Sequence, residues 1–427
     1  MTPFDRRLFL KSSGLSLIAG GLLPNVFVRM AQASPLSGAA ANKSSRVLVA
    51  IFQRGAVDGL NMLVPYGEKV YYDARPSIAV PRPGAGATDR SAVNLDGFFG
   101  LHPSLAPLLP YFQDRSAAFV HAVGSPDTTR SHFDAQDFME SGTPGIKSTP
   151  DGFLARALQT ARSAPENAKP SPLRAVTMTP GMPRILSGSG AIAMTTLSGF
   201  GIRAGQASEP LTQSFESMYE GAVAGTLQAT AQESFEAVDL VRSTNPAGIA
   251  PGNGAAYPRG PLGNALRQIA QLIKADVGLE VAFTDVGGWD THAAEGGGNG
   301  QLANRLRDFA QAITAFAKDL GSRMGDVTLV TMSEFGRTVK ENGNRGTDHG
   351  HANVMLLLGG GVAGGRVYGK WPGLDASHLY ENRDLAVTTD FRDVFAEVLS
   401  KRMGVTALDR VFPGYDCAPG KRLGLIA

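Results

Sequence analysis

The chain has 427 residues, 43% of them apolar and 18% charged, which is the composition of a soluble globular protein long enough for one large or two ordinary domains. Its formal charge is +2, but residues 1–33 hold four basic and one acidic residue. Without them 36 basic and 37 acidic residues remain, a charge of −1 that argues against nucleic acid as a partner.

The first 33 residues run "DRRLFLKSSGLSLIAGGLLPNVFVRMAQA" from Asp5. Arg6-Arg7, then Phe9, Leu10 and Lys11, then a short, weakly apolar stretch and the A-x-A site Ala31-Gln32-Ala33 resemble a twin-arginine export signal, with Asp5 where Ser or Thr is usual. The apolar run is too short to span a bilayer comfortably, and Pro24 interrupts it. The resemblance implies recognition by the twin-arginine export machinery, a periplasmic or secreted address, and no stable membrane span after cleavage. Cys417 is the only cysteine, so no internal disulfide forms. Residues 34–45, "SPLSGAAANKSS", form a small-residue linker. Residues 46–427 show no further boundary and are expected to form one domain.

Within that domain, near-continuous apolar runs at 46–52, 116–123, 172–178, 278–285, 326–332 and 353–359 predict strands covered on both faces. Helical spacing falls between them, at 104–113, 133–141, 211–243, 261–275 and 299–320. The alternation predicts an α/β fold with a large, mainly parallel sheet sandwiched between helices.

In such a sheet, ligands bind at the carboxyl ends of the strands. The polar residues of this chain follow strands. Asp58 follows the first. Arg130, Ser131 and His132 follow the second. Asp290 and His292 follow the fourth, and Glu334 and Arg337 the fifth. Asp348-His349-x-His351 lies just before the last. Mixed carboxylates and imidazoles suit Zn, Mn or Fe, so Asp58, Asp290, His292, Glu334, Asp348, His349 and His351 are candidate ligands for one or two divalent ions. Ser131 at a helix start is either a cap or a nucleophile placed where free N–H groups favour an anion. Arg337 and Arg130 are candidates to neutralise that anion. Plain readings stand beside these: Asp58-Gly59 as a turn, Glu334 with Arg337 as an ion pair, His132 as a surface residue and His121 as a satisfied core histidine. "GGRVYGK" (364–370) matches the core of a phosphate-binding loop. Trp371 replaces its Ser or Thr and Pro372-Gly373 follows, so nucleotide binding is not expected.

The runs "IFQRGAVDGLNMLVPYGEKVYYDARPSIAV", "AVGSPDTTRSHFDAQDFMESG", "GGWDTHA" and "TMSEFGRTVKENGNRGTDHGHANVMLLLGG" resemble an exported bacterial family of unknown function, over most of residues 46–410. That family resembles an outlying branch of the alkaline phosphatase and sulfatase superfamily. The resemblance implies an alkaline phosphatase-like sandwich and a metal-dependent hydrolase of phosphate or sulfate esters. Asp58 resembles the first-strand metal ligand, Ser131 the nucleophile, and Asp290 with His292 a later ligand pair. Glu334-Phe335-Gly336 stands where Asp-His-Gly is usual, so an imidazole is lost at Phe335. His349 or His351 could supply the last ligand; alternatively "TDHG" is itself the Asp-His-Gly motif. The implied substrate is an anionic small molecule or envelope polymer. The alternative is a non-catalytic envelope binding or assembly protein, which the loss at Phe335 favours.

Overall fold

The structure is a computed structural model and describes residues 46–84, 86–161, 170–200 and 225–427. Residues 1–33, expected to be an export signal, residues 34–45, expected to be a linker, and positions 211–224 of the third helical pattern lie outside the described residues.

Among the described residues, nine strands form the main sheet. They are β1 (Val47–Gln53), β2 (Ala117–Gly124), β3 (Ala175–Thr177), β4 (Ile192–Ala193), β5 (Val281–Val286), β6 (Val327–Met332), β7 (Asn353–Gly359), β8 (Val367–Tyr368) and β9 (Thr389–Asp390). Their order is β8-β2-β7-β6-β1-β5-β3-β4, with β9 also on β2. The principal helices are α1 (His132–Ser141), α2 (Phe153–Thr160), α3 (Gly225–Thr244), α4 (Pro261–Lys274), α5 (Gln301–Leu320) and α6 (Phe391–Arg402). Residues 104–113, expected as one helix, instead divide between a 3-10 turn (Pro103–Leu108) and the short α-helix that follows it (Leu109–Gln113). Pro107 explains the break, since it has no N–H for a continuous α-helix. No helix among the described residues is long and apolar enough to cross a membrane.

Strand β1 shows why the sheet is covered twice. All seven of its residues are buried. Val47, Val49 and Ile51 face a core with Leu266 and Ile269 of α4 and Leu306, Phe309 and Ile313 of α5. Leu48, Ala50 and Phe52 face the opposite core, with Phe153 of α2 and Phe391 and Phe395 of α6. The period-two alternation of the strand assigns each side chain to its layer.

Strand direction matters most for function. β1 runs parallel to β5 and β6, and the pairs β5–β3, β3–β4, β2–β8 and β2–β9 are parallel too. β7 alone among these strands runs antiparallel, to both β2 and β6. The segment before β7 therefore emerges at the same sheet edge as the segments after β1, β2, β5 and β6. The β2–β7 ladder shifts register between Asn353 and Met355, close to that edge. In "GGRVYGK" the Val-Tyr pair is strand β8 and no phosphate-loop helix follows it.

Candidate metal centre

Backbone turns build the base of the site. After β1 the chain reverses at Gly55, whose φ of +111° disfavours other residues. A Cβ there would lie 2.9 Å from the Asp290 backbone nitrogen, so glycine also permits the approach of the 287–292 loop. Glu334 and Arg337, just after β6, hold this turn from both sides. Gly55 N–H donates to Glu334 Oε1 at 2.8 Å, and Arg337 Nη2 donates to Gly55 O at 2.7 Å. They do not form an ion pair with each other; both bind the turn.

The stretch before β7 folds back on the segment after β6. Gly336 N–H donates to His351 O, and Gly350 N–H donates to Gly336 O, each at 2.8 Å. Gly346 lets this hairpin pack on the 287–292 loop, since a Cβ there would lie 2.4 Å from the His292 carbonyl carbon.

Three imidazoles and a carboxylate converge on the resulting edge. His132 Nε2 and His349 Nε2 are 3.0 Å apart, as are His292 Nε2 and His349 Nε2. Asp290 Oδ1 lies 2.9 Å from His292 Nε2 and 3.2 Å from His349 Nε2, and Asp290 Oδ2 lies 3.6 Å from His132 Nε2. His132, Asp290 and His349 present ligand atoms all within 4.8 Å of one another. Each ring is oriented through its other nitrogen. Nδ1 of His132 meets Glu334 Oε1 at 2.9 Å, that of His292 meets Asp348 Oδ1 at 3.1 Å, and that of His349 meets the Arg130 carbonyl at 2.9 Å. An acceptor at Nδ1 fixes the proton there and leaves the Nε2 lone pair facing inward. That is how metal-binding histidines are oriented by their neighbours.

The donor set fits a divalent ion. Ligand atoms around a tetrahedral Zn with bonds of about 2.0–2.1 Å are about 3.3 Å apart. The observed separations lie close to that spacing.

Burial pushes the His349 pKa down, keeping the ring neutral. The hydrogen bond that His132 donates to the Glu334 carboxylate raises the His132 pKa. Burial opposes the charge of Asp290, but the Arg337 hydrogen bond and charge outweigh it and hold the carboxyl below its ordinary range. Glu334 is likewise lowered despite burial, because His132, Gln136 and backbone N–H groups all bind its charged form.

The structure sorts the residues expected from the sequence. Asp290, His292 and His349 come together at the centre. Glu334 and Asp348 lie behind it: the Glu334 side chain has no exposure and accepts from Gly55, His132 and Gln136, and Asp348 holds His292. Asp58 is not at the centre. It is fully buried, paired with Arg75, and caps the short helix Gly59–Met62. His351 turns away, its Nε2–H donating to the Ser125 carbonyl at 3.1 Å and its ring packing on Tyr380 with centroids 4.4 Å apart. Arg337 is fully buried, with bonds to Ala56, Thr347, Gly55, Trp289 and Asp290, so it positions Asp290 and does not reach a bound anion. Arg130 is committed to Glu381 and Asp384 at 2.6 and 2.7 Å. Ser131 is the exposed first cap of α1, but its side chain makes no capping bond. His121 is buried and stacked on Phe99, yet its Nδ1 has no partner among the described residues, so it is not the satisfied core histidine expected.

Sequence reasoning missed His132. It had the signal, a place at the end of β2 beside Ser131, but a histidine on a helix start reads as surface until its partners are known. The ring of Phe335 lies 5.0 Å from those of both His132 and His349 and closes one side of the centre. His132 thus brings an imidazole to the place where Phe335 offers none.

The family described as "Protein of unknown function (DUF1501)" matches residues 45–413, in agreement with the resemblance drawn from the sequence. No curated protein matches the chain. Among solved structures, a phosphonate monoester hydrolase of Agrobacterium radiobacter is 10% identical, covering 87% of this chain and 78% of its own, with a TM-score of 0.33. The lipoteichoic acid synthase LtaP from Listeria monocytogenes is 9% identical over 90% of this chain and 79% of its own, with a TM-score of 0.30. The phosphonate monoester hydrolase SpPMH from Silicibacter pomeroyi is 10% identical over 84% and 73%, with a TM-score of 0.27.

Proposed function

The chain belongs to the DUF1501 family, and from the geometry of its site we propose that it is an exported, metal-dependent hydrolase of phosphate or sulfate esters on an alkaline phosphatase-like sheet. One observation carries this reading: three Nε2 atoms and a carboxylate face each other, with every Nδ1 already bound. His132, Asp290 and His349 would hold one divalent ion (Zn, Mn or Fe), with His292 beside them. A bound ion would supply positive charge to the ester's anionic oxygens and lower the pKa of a coordinated hydroxyl.

The chain's own residues supply the rest. Ser131 adjoins His132 at the start of a ten-residue helix, with its hydroxyl uncommitted to a cap, and is the proposed nucleophile. The N–H groups of that helix start favour an anionic group. Arg130 and Arg337 are engaged with carboxylates of the protein, so neither is assigned to the substrate. Arg337 instead keeps Asp290 ionised and in place. Phe335 shields one side of the centre from water. The substrate class is an anionic small molecule or envelope polymer, reached after export through the twin-arginine machinery. The binding-only alternative drew its support from Phe335, and the imidazole of His132 beside that ring weighs against it.

The test is metal content by mass spectrometry on exported protein of residues 34–427, beside His132→Ala and His349→Ala. Near-stoichiometric metal that is lost in both variants is expected. Phosphate- and sulfate-ester screening with Ser131→Ala then follows, with turnover abolished and metal retained. Wild-type protein that takes up no divalent ion sinks the reading.

A further inference from the structure

Two separate loops bring the centre its residues, and one buried side chain ties them together. Thr291 lies between Asp290 and His292; Thr347 immediately precedes Asp348 and His349. Both hydroxyls donate to the same oxygen, Oε2 of Glu295, at 3.0 and 2.8 Å. Glu295 is fully buried. Its other oxygen, Oε1, lies 3.4 Å from Asn61 Nδ2, and Asn61 in turn accepts from Tyr71 Oη at 2.6 Å and Arg75 Nη1 at 2.8 Å. The backbones of the two loops are joined at the same place. Thr347 N–H donates to Thr291 O at 3.2 Å, and Glu295 N–H to Arg345 O at 2.9 Å. None of the seven candidate ligands read from the sequence is this residue.

From these contacts we propose that Glu295 is the positioning residue of the centre: its Oε2, shared by Thr291 and Thr347, fixes the Asp290–His292 loop to the Asp348–His349 loop and so sets the spacing of the inward Nε2 atoms. This rests on the metal reading above for its functional meaning, but the clamp itself is a property of the protein alone. The physical reason is the loop origin. Asp290 and His349 stand 59 positions apart, and neither lies within a strand of the sheet. Their relative position is therefore set by contacts between loops, and a shared acceptor removes the freedom of both hydroxyls at once. Burial, with the charge of Asp58 close by, holds the Glu295 carboxyl well above its ordinary pKa. A glutamine keeps the shared acceptor, a carbonyl oxygen facing the two threonine hydroxyls.

The experiment compares wild-type, Glu295→Gln, Glu295→Ala and Thr347→Val proteins by hydrogen exchange in the metal-free state and by Zn and Mn titration calorimetry. Glu295→Gln should match wild type in both. Glu295→Ala should exchange about tenfold faster over residues 289–296 and 342–350, and bind metal roughly 10- to 100-fold more weakly. Thr347→Val cuts one arm without emptying the buried site, and its faster exchange should be confined to 342–350. Unchanged exchange in both Glu295→Ala and Thr347→Val overturns the proposal. So does a Glu295→Gln protein that behaves like Glu295→Ala, because the shared acceptor is then not what matters. A wild-type protein that binds no metal defeats the hydrolase reading, while the metal-free exchange still decides the clamp.

Discussion

His132 and His349 stand 217 positions apart in the chain, yet their Nε2 atoms are 3.0 Å apart. Each ring has an acceptor at Nδ1, so both Nε2 lone pairs point at the same small space. Two lone pairs at that distance repel unless a proton or a cation lies between them. A proton fits the raised pKa of His132; a divalent ion fits all the groups around it, Asp290 and His292 included.

His132→Ala should therefore cost more metal affinity than His351→Ala. Loss of a facing ring at the centre is expected to remove stoichiometric metal. His351, which faces Ser125 and Tyr380, should retain it. Metal analysis of the two purified variants decides the matter; equal loss in both would place His351 in the centre after all.

Asp58 should behave as a structural residue. Its carboxylate pairs with the fully buried Arg75, so Asp58→Ala leaves an uncompensated buried charge, at a cost of about 3–5 kcal/mol. The double variant Asp58→Leu/Arg75→Met should recover much of that loss in urea denaturation. Metal stoichiometry of the folded double variant should be unchanged. Metal loss there would make Asp58 a ligand.

Arg337→Lys should lower metal affinity without touching a ligand. Lysine keeps the charge but cannot reproduce the fork that reaches Asp290, Gly55, Trp289, Ala56 and Thr347 together. A loss of about 10–100-fold in affinity is expected, read by competition with a chromophoric chelator. Wild-type affinity would show that Asp290 holds its place without the guanidinium.

His102 should make the protein acid-sensitive between pH 6.5 and 4. Its Nδ1 accepts from Ser104 N–H at 3.0 Å while Nε2 donates to Gly297 O at 2.9 Å, so only the neutral ring satisfies both. Burial pushes its pKa from 6.5 down to about 4. In that window the unfolded chain binds the proton that the folded chain refuses. The stabilisation is thus complete above pH 6.5 and falls away as pH drops toward 4, by about 3 kcal/mol from this residue alone. His102→Asn, which can still cap the turn, should flatten that part of the stability–pH curve. An unchanged slope would assign the acid sensitivity elsewhere.

Much of the fold was legible because strands buried on both faces need unbroken apolar runs. All six predicted strands are present, within a few residues at each end. The helices Pro261–Lys274 and Gln301–Leu320 carried their apolar stripes openly. Helices α2 and α6 did not stand out: α2 is only eight residues long, and the buried residues of α6 fall on several sides rather than on one stripe. The strand-end rule then brought Asp290, His292, Glu334, Asp348 and His349 to one edge.

What the sequence determined by itself was the sheet, its covering and the edge where the chemistry-bearing residues gather, since hydrophobic periodicity and the alternation of strands and helices along the chain are encoded locally. Only the tertiary structure decided which of them face inward. The antiparallel course of β7 delivers His349 to that edge. Arg75 withdraws Asp58 from the centre, Glu334 moves behind His132, and His132 enters it. Those choices depend on hydrogen-bond partners more than 200 positions away for His132 and His349 alike, and no local spacing can specify them.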